Sequence, residues 1–266
     1  MLIPRSHIGE ILHSYLSYSQ AQTVRSEAVE LQYDDYFPSF SSEQSTNSSI
    51  LLPKWDRVHD ILDLCTGSGC LAVLAAKRFS KNDPSAELHI DAVDISEDAL
   101  KVAEINVNSK GLQTVISLHK GDLYDALPPA AADPESEAGA FSHKNQRQYD
   151  LILCNPPYVP SSRLPSLPAE YLHEPYQLAL DGGPDGLAIV ERVLLGAYNH
   201  LKDDGGIIIE IGDGKKQLEK RFPILFSADG EAQDSKDQKV LWFRTSNSES
   251  EVCFIPKYYL AARYLL

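Results

Sequence analysis

Ile61-Leu-Asp-Leu-Cys-Thr-Gly-Ser-Gly-Cys-Leu-Ala-Val-Leu-Ala-Ala-Lys-Arg78 is the stretch of sequence that decides the fold. Its first four residues form a short apolar run, which predicts a buried strand, and Cys70 to Phe79 are spaced as an apolar helix. Gly67 and Gly69 lie between these elements, and a residue without a Cβ adopts positive φ at little cost. The order strand, glycine turn, helix predicts an α/β sheet whose backbone a ligand can approach closely at the turn.

The glycine turn alone does not identify its ligand, because the spacing Gly67-x-Gly69-x-x-Ala72 also fits a dinucleotide-binding fingerprint. Two further strand ends add information. The strand from Leu88 to Asp94 ends in a carboxylate that can accept hydrogen bonds from both hydroxyls of a ribose. The strand that begins at Val115 leads to Asp122, which can accept from an adenine amino group. The three strand ends together favour a ligand that carries ribose and adenine.

Asn155-Pro-Pro-Tyr158 follows an apolar run, Tyr149 to Cys154, that predicts another buried strand. Proline fixes its own φ and restricts the residue before it, so Asn155 is expected to be extended at the carboxyl end of the sheet. The side-chain oxygen of Asn155 and the carbonyl of Pro156 can each accept one N–H of a planar amide or exocyclic amine. The ring of Tyr158 can stack on the π system of that group. An ordinary strand-to-loop turn is the alternative interpretation of this motif.

Taken together, these motifs resemble the class I S-adenosylmethionine-dependent methyltransferases. Within that class they are similar to the protein-(glutamine-N5) methyltransferases, which methylate the side-chain amide of glutamine in release factors and ribosomal proteins. The resemblance runs from about Leu2 to Ile211. Two sets of residues are more similar to the branch that acts on the third large-subunit ribosomal protein, uL3: Leu2 to Ile11, and Leu167 to Pro175 with Ala179 to Leu187. Cys65 stands where the release-factor branch is expected to have glycine.

The resemblance implies an α/β fold of the class I, Rossmann-like type, with a seven-stranded, mostly parallel sheet and helices on both faces. We expect residues 51–266 to form this methyltransferase domain, and residues 1–50 to form a linker or helix followed by a polar insertion. The family's amino-terminal helical domain, which recognises the substrate, is expected to be absent from this chain. Its absence is expected to expose an apolar patch made of Leu2, Ile3, Ile8, Ile11 and Leu12.

The resemblance also implies the roles of individual residues. S-adenosylmethionine is expected to be the cofactor, bound by Cys65, Thr66, Gly67, Ser68, Gly69, Asp94, Asp122, Leu123 and Asn155. The catalytic residues are expected to be Asn155, Pro156, Pro157 and Tyr158. Arg5 and Ser6 are expected to shape the entrance of the cofactor pocket. No metal site is expected, because His173 and Glu174 have no second ligand at helical spacing and Pro175 prevents a helix there.

Composition restricts the class of partner. The chain has 266 residues and a net charge of −14, and it lacks the basic stripe that nucleic-acid enzymes use to neutralise phosphates. A protein substrate, either a ribosomal protein or a release factor, is therefore expected, and an acidic enzyme favours a basic one. No stretch approaches the roughly 20 apolar residues that span a bilayer. The four single cysteines favour a reducing compartment, so we expect the cytoplasm or the mitochondrial matrix.

Three alternative functions stay open: a release-factor glutamine methyltransferase, an adenine-N6 nucleic-acid methyltransferase, and a non-catalytic cofactor-binding subunit that needs a helical partner. The adenine alternative remains because Asn-Pro-Pro-Tyr also serves enzymes that modify adenine in DNA. Three polar stretches, residues 19–49, 128–148 and 228–238, are expected to be surface loops. Asp181 and Asp185, which lie among glycines, are expected to form a turn before the next helix.

Overall fold

The computed structural model of the chain describes residues 6–13, 57–80, 87–129, 147–168, 176–226, 240–245 and 248–265. The predicted loops at residues 19–49 and 228–238, most of the loop at 128–148, and Arg5, Glu170, His173 and Glu174 lie outside these ranges. The strands are β1 (Asp60–Leu64), β2 (His89–Asp94), β3 (Ile116–Lys120), β4 (Tyr149–Cys154), β5 (Leu201–Glu210), β6 (Leu241–Thr245) and β7 (Ser248–Pro256).

The helices are α1 (residues 7–13), α2 (Cys70–Phe79), α3 (Glu97–Ser109), α4 (Tyr176–Leu180), α5 (Ala188–His200), α6 (Lys215–Arg221), α7 (Pro223–Phe226) and α8 (Ala262–Leu265). Short 3₁₀ turns span Leu123–Ala126, Ser161–Ser166 and Lys257–Leu260. Within the described ranges, none of the helices combines the length and the apolar character that crossing a bilayer requires.

The seven strands form one sheet in the order β3-β2-β1-β4-β5-β7-β6. Strands β1 to β5 pair in parallel, and β7 lies antiparallel between β5 and β6. The predicted seven-stranded, mostly parallel sheet is confirmed, and β6 and β7 form an antiparallel pair at one edge of it. The strand order reverses between β1 and β4, and open α/β sheets bind ligands at the carboxyl ends of strands beside such a reversal.

The sheet is covered on both faces, as predicted. Neighbouring residues of a strand point to opposite faces, and β1 shows this alternation. Ile61 belongs to the apolar core that contains residues of α1, α2 and α3. Leu62 and Leu64 belong to a second core that contains residues of α5 to α8. The continuous apolar runs that predicted buried strands therefore reflect burial on two faces rather than one.

The prediction of an exposed apolar patch at the amino terminus is wrong for the residues that the structure describes. Ile8, Ile11 and Leu12 are buried in the core that contains α2, while Leu2 and Ile3 lie outside the described residues. The guanidinium of Arg78, on α2, donates to the carbonyls of Leu12 and His13 at 3.2 and 3.0 Å. Helix α1 therefore covers its own apolar face by packing on the sheet domain.

The junction between α5 and β5 also differs from prediction. The spacing of apolar residues predicts a helix from Gly186 to Leu201 and a buried strand from Gly205 to Ile211. In the structure α5 ends at His200 and β5 begins at once, because Leu201 pairs with Tyr149 and the register then shifts. Lys202 holds this irregular start by donating to Asp60 and Asp150 at 2.6 and 2.9 Å.

The burial of α1 can be tested with a matched pair of substitutions. Ile8 is 0% exposed and Ile105, on the outer face of α3, is 66% exposed. Ile8→Ala is expected to lower the free energy of unfolding by about 2–5 kcal/mol, because it leaves a cavity in the core. Ile105→Ala should change it by no more than about 0.5 kcal/mol. Urea unfolding of both variants decides the point, and equal midpoints would contradict the packing of α1.

Candidate active site

The glycine turn after β1 is held by its own backbone and by β2. The N–H of Thr66 donates to the carbonyl of Val93 at 3.0 Å, and the N–H of Gly69 donates to the carbonyl of Thr66 at 2.9 Å. Gly67 and Gly69 have φ of 57° and 74°, as predicted for a turn that needs glycine, and Cys65 has φ of 58°. A non-glycine residue in this region is strained, and such strain concentrates at functional sites.

Asp63 lies beneath this turn and is fully buried. Its Oδ2 accepts from the hydroxyl of Thr66 at 2.5 Å and from the N–H of Ala72 at 3.0 Å, so it ties β1 to the start of α2. Its Oδ1 has no hydrogen-bond partner among the described residues. Burial raises the pKa of Asp63 to about 7. No role was predicted for Asp63 from the sequence, although an acid within an apolar strand indicates a buried carboxyl group, and such groups are found at functional sites.

Asp94 connects the ends of β1 and β2. Its Oδ2 accepts from the N–H of Gly67 at 2.7 Å, and its Oδ1 accepts from the N–H of Ser96 at 2.8 Å. Ser96 in turn caps α3 by accepting from the N–H of Ala99 at 3.2 Å. A carboxylate has about four lone-pair positions, so Asp94 keeps acceptor capacity for the predicted ribose hydroxyls.

Asp122 lies beside Asp94, because the N–H of Gly121 donates to the carbonyl of Asp94 at 3.0 Å. The structure adds a partner that the sequence did not indicate: Arg192, on α5, donates to Asp122 Oδ2 at 2.8 Å. Leu123 follows with φ of 51° and a buried side chain. The third strand end therefore reaches the same edge as the first two, as predicted, with one carboxylate oxygen engaged by Arg192.

Asn155 follows β4 directly, and β4 pairs with β1 so that Cys154 is the partner of Leu64. The residues that follow these partners are Cys65 and Asn155. The glycine turn and the Asn-Pro-Pro-Tyr motif therefore begin side by side at the carboxyl ends of neighbouring strands. We define the acceptor loop as residues 155–161. Pro156 is buried within it, while Asn155, Pro157 and Tyr158 are half-buried.

Tyr158 is held closely on several sides. Its hydroxyl donates to Glu210 Oε1 at 3.2 Å. A Cβ at Gly212 would lie 2.6 Å from the Tyr158 ring, and a Cβ at Gly182 would lie 2.8 Å from the Tyr158 Cα. Since real Cβ atoms do not approach so closely, glycine at these two positions permits the observed placement of Tyr158.

The glycine-rich segment 180–186 forms the predicted turn and is also hydrogen-bonded to the acceptor loop. Val159 donates to the carbonyl of Leu180 at 2.9 Å, Gly182 donates to that of Val159 at 2.8 Å, and Ser161 donates to that of Gly183 at 2.8 Å. The Ser161 hydroxyl also donates to Asp181 at 2.6 Å. This segment therefore braces the acceptor loop along its length, which periodicity in the sequence did not indicate.

Glu210 is a further site residue that the sequence analysis missed. It ends β5, is 1% exposed, and accepts from Ser6 Oγ at 2.9 Å, from the N–H of His7 at 3.0 Å and from Tyr158. Burial raises its pKa. The sequence does indicate a special position, because Glu210 is the single acid in the apolar run from Ile207 to Ile211 and acids are rarely buried. Ser6, predicted to shape the entrance of the cofactor pocket, donates to Glu210.

These residues fit a cationic ligand that carries a ribose. The carboxylate of Asp94 supplies negative charge at one edge of the sheet, and the unpartnered Oδ1 of buried Asp63 supplies a polar atom beneath the same turn. A Cβ built on Gly67 meets nothing within 4 Å, so space is open above the turn. Across the described ranges, no group of three or more histidine, cysteine or acidic side chains is arranged to hold a metal ion.

Comparison with known proteins gives the family. A family model described as a methyltransferase domain matches residues 56–247, which include β1 to β5 and both motifs. The chain belongs to this methyltransferase family. The strand order, with its single antiparallel insertion of β7, is the class I methyltransferase fold. S-adenosylmethionine, a cation with a ribose and an adenine, is the cofactor of this class and fits the described residues.

Two relatives share the name ribosomal protein uL3 glutamine methyltransferase. The protein of Bradyrhizobium diazoefficiens is 38% identical over 96% of this chain and 60% of its own length. That of Bordetella pertussis is 44% identical over 71% of this chain and 55% of its own length. The chain thus spans less than two thirds of either relative. A solved structure of human methyltransferase 10 domain containing protein covers 93% of this chain and 82% of its own, with 17% identity and a TM-score of 0.46.

The raised pKa of Asp63 gives a pH prediction. Between its ordinary value of 3.8 and about 7, the folded chain retains a proton that the unfolded chain has lost. The free energy of unfolding should therefore fall as the pH rises through this window. Asp63→Asn does not titrate, so the wild type should lose on the order of 2 kcal/mol relative to this variant between pH 5 and pH 8. Urea unfolding at both pH values measures it, and parallel pH profiles would contradict the assignment.

Proposed function

We propose that this chain transfers a methyl group from S-adenosylmethionine to the side-chain amide nitrogen of a glutamine in a large-subunit ribosomal protein. The observation that carries the proposal is the pairing of Leu64 with Cys154, because Asn155 then follows its strand directly beside the glycine turn. The names of the two relatives support the choice of substrate. We place the activity in the cytoplasm or the mitochondrial matrix, because the four cysteines are free and such thiols favour a reducing compartment.

The acceptor loop supplies the chemistry that an amide requires. An amide nitrogen is a poor nucleophile because its lone pair is delocalised into the carbonyl. Asn155 Oδ1 and the Pro156 carbonyl accept the two amide hydrogens, which draws electron density onto nitrogen and fixes its direction. Stacking on Tyr158 orients the plane of the amide. The bound cofactor would supply the methyl group, and the electron pair of the broken S–C bond would stay on its sulfur. As the N–C bond forms, the nitrogen becomes more positive, Asn155 Oδ1 and the Pro156 carbonyl stabilise that charge, and one N–H proton passes to solvent water.

Charge also favours a basic protein as the acceptor. The chain carries 38 acidic and 24 basic side chains apart from histidine, and a field of this sign attracts cationic partners. A polyanionic nucleic acid is repelled by the same field. Incubating the chain with labelled cofactor and, separately, a large-subunit ribosomal protein, a release factor or DNA identifies the acceptor. Transfer of label to DNA alone would reject the proposed substrate.

Cofactor binding is expected to depend on Asp94. Asp94→Ala removes the proposed ribose acceptor and the bonds to Gly67 and Ser96, so the affinity for S-adenosylmethionine should fall about tenfold to a hundredfold. Asp98→Ala removes an exposed carboxylate from the first turn of α3, close to Asp94 in the chain. It is the matched control and should leave the affinity unchanged. Titration calorimetry measures both variants. Wild-type affinity for NAD without affinity for S-adenosylmethionine would be incompatible with the proposal.

Catalysis, in contrast, is expected to depend on Asn155. Asn155→Ala should leave cofactor affinity within a few fold but lower kcat by about 10² or more, which is typical of an oriented polar group in a transition state. Asn108→Ala, on the exposed side of α3, is the control. Single-turnover transfer of labelled methyl to the accepted substrate gives the rates. Equal rates for wild type and Asn155→Ala would mean that the motif is only a turn.

A further inference from the structure

Glu210 stands between two segments that are distant in the chain. Its Oε2 accepts from the hydroxyl of Ser6 and the N–H of His7, at the start of α1. Its Oε1 accepts from the hydroxyl of Tyr158 at 3.2 Å and lies 3.6 Å from His7 Nδ1. One buried carboxylate thus holds the first turn of α1 with one oxygen and the acceptor loop with the other.

Packing alone does not explain an acid at this position. Its neighbours on β5, Ile207 to Ile209, are fully buried and apolar. A carboxylate taken out of water is costly unless donors surround it, and replacing such a group by an apolar side chain is often neutral for stability. Glu210 receives donors from three residues in the two segments. The cost of burial is offset only while both segments stay in place.

The position of Glu210 in the sheet separates it from the glycine turn. The strand order β2-β1-β4-β5 puts the end of β5 on the far side of β4 from Asp63 and Asp94. The contacts described for Glu210 go to Ser6, His7 and Tyr158, and those for Asp94 go to Gly67 and Ser96. A substitution of Glu210 is therefore expected to affect the acceptor loop, through Tyr158, more than the residues around the glycine turn.

We propose that Glu210 is a positioning residue for the acceptor amide: it fixes the ring of Tyr158 through its hydroxyl and couples that ring to the docking of α1. This inference rests on the proposed function, since it assigns Tyr158 to the acceptor amide. The orientation of the ring is then set by Glu210 at the hydroxyl end and by the close approach of Gly212 to its Cδ2 and Cε2 atoms. Without the carboxylate, the ring and the first turn of α1 lose their common anchor.

The test compares Glu210→Gln, Tyr158→Phe and the double variant. Gln has one acceptor oxygen in place of two, and Phe keeps the ring but has no hydroxyl. Each single variant should lower kcat/KM for the acceptor about tenfold, with the larger part in KM, and leave cofactor affinity within about twofold. The double variant should lose about tenfold and not a hundredfold, because the contact between the side chains of residues 210 and 158 can be lost only once. Glu104→Gln, on the exposed side of α3, is the matched control.

Hydrogen exchange supplies a measurement that does not depend on methyl transfer. Glu210→Gln should raise amide exchange both in residues 6–13 and in the acceptor loop, and leave α5 unchanged. Ser6→Ala removes one donor from Glu210 with little risk to folding, and it should raise acceptor KM a few fold although residue 6 lies 204 positions from Glu210. It also keeps the inference testable if Glu210→Gln does not fold.

The outcomes separate this inference from the proposed function. Multiplicative losses in the double variant, or faster exchange in only one of the two segments, would overturn the coupling. A loss of cofactor affinity as large as the loss of kcat/KM would overturn the positioning role. If the wild type methylates no glutamine in any acceptor, the proposed function fails and the acceptor role of Glu210 fails with it. Hydrogen exchange then still decides whether Glu210 links the two segments.

Discussion

Parallel pairing of β1 with β4 is the constraint on which the site depends. The partners Leu64 and Cys154 are the last residues of their strands, so the glycine turn and the acceptor loop begin side by side. Because side chains alternate between faces with a period of two, a slip of either strand by one residue would move each of its side chains from one core to the other. Burial of Leu62 and Leu64 on one face and Ile61 on the other prevents that slip. The geometry of the site therefore follows from the apolar cores.

Buried acids have two different roles in this sheet. Asp91, within β2, lies 2.8 Å from His119 Nε2 and accepts from the hydroxyl of Tyr149 at 2.8 Å, and Arg147 is 3.1 Å away. Burial raises the pKa of Asp91, but these partners outweigh burial and the net pKa is lowered. This acid is paired and contributes to holding β2, β3 and β4 together.

Asp63 and Glu210, at the carboxyl ends of β1 and β5, have the opposite balance. Burial dominates at both carboxyl groups and raises their pKa values. Asp63 keeps one oxygen without a partner in the described part of the chain, next to the turn where a cationic cofactor fits. Acids with a raised pKa thus lie at the carboxyl edge of the sheet, where the candidate site is, and the acid with a lowered pKa lies within the sheet.

The sequence by itself determined the elements and the identity of the two motifs. Apolar runs, the glycine pair and the Asn-Pro-Pro-Tyr motif are local signals, and each predicted a strand end that the structure brings to one edge. The positions of most strands were likewise predicted, because burial on two faces leaves continuous apolar runs. The start of β5 was not, because its residues 202–204 are polar.

Only the tertiary structure decided how the site is supported. The burial of Ile8, the pairing of Asp122 with Arg192, the bracing of Val159 by segment 180–186 and the three donors to Glu210 join residues that lie far apart in the chain. A sequence pattern shows that a face is apolar or that an acid is buried, but it does not show which distant segment covers that face or satisfies that acid. Those partners are fixed by the packing of the helices on the sheet. An unpaired buried polar group or an exposed apolar face destabilises the fold, so each is stable only where a neighbouring segment pairs with it or covers it.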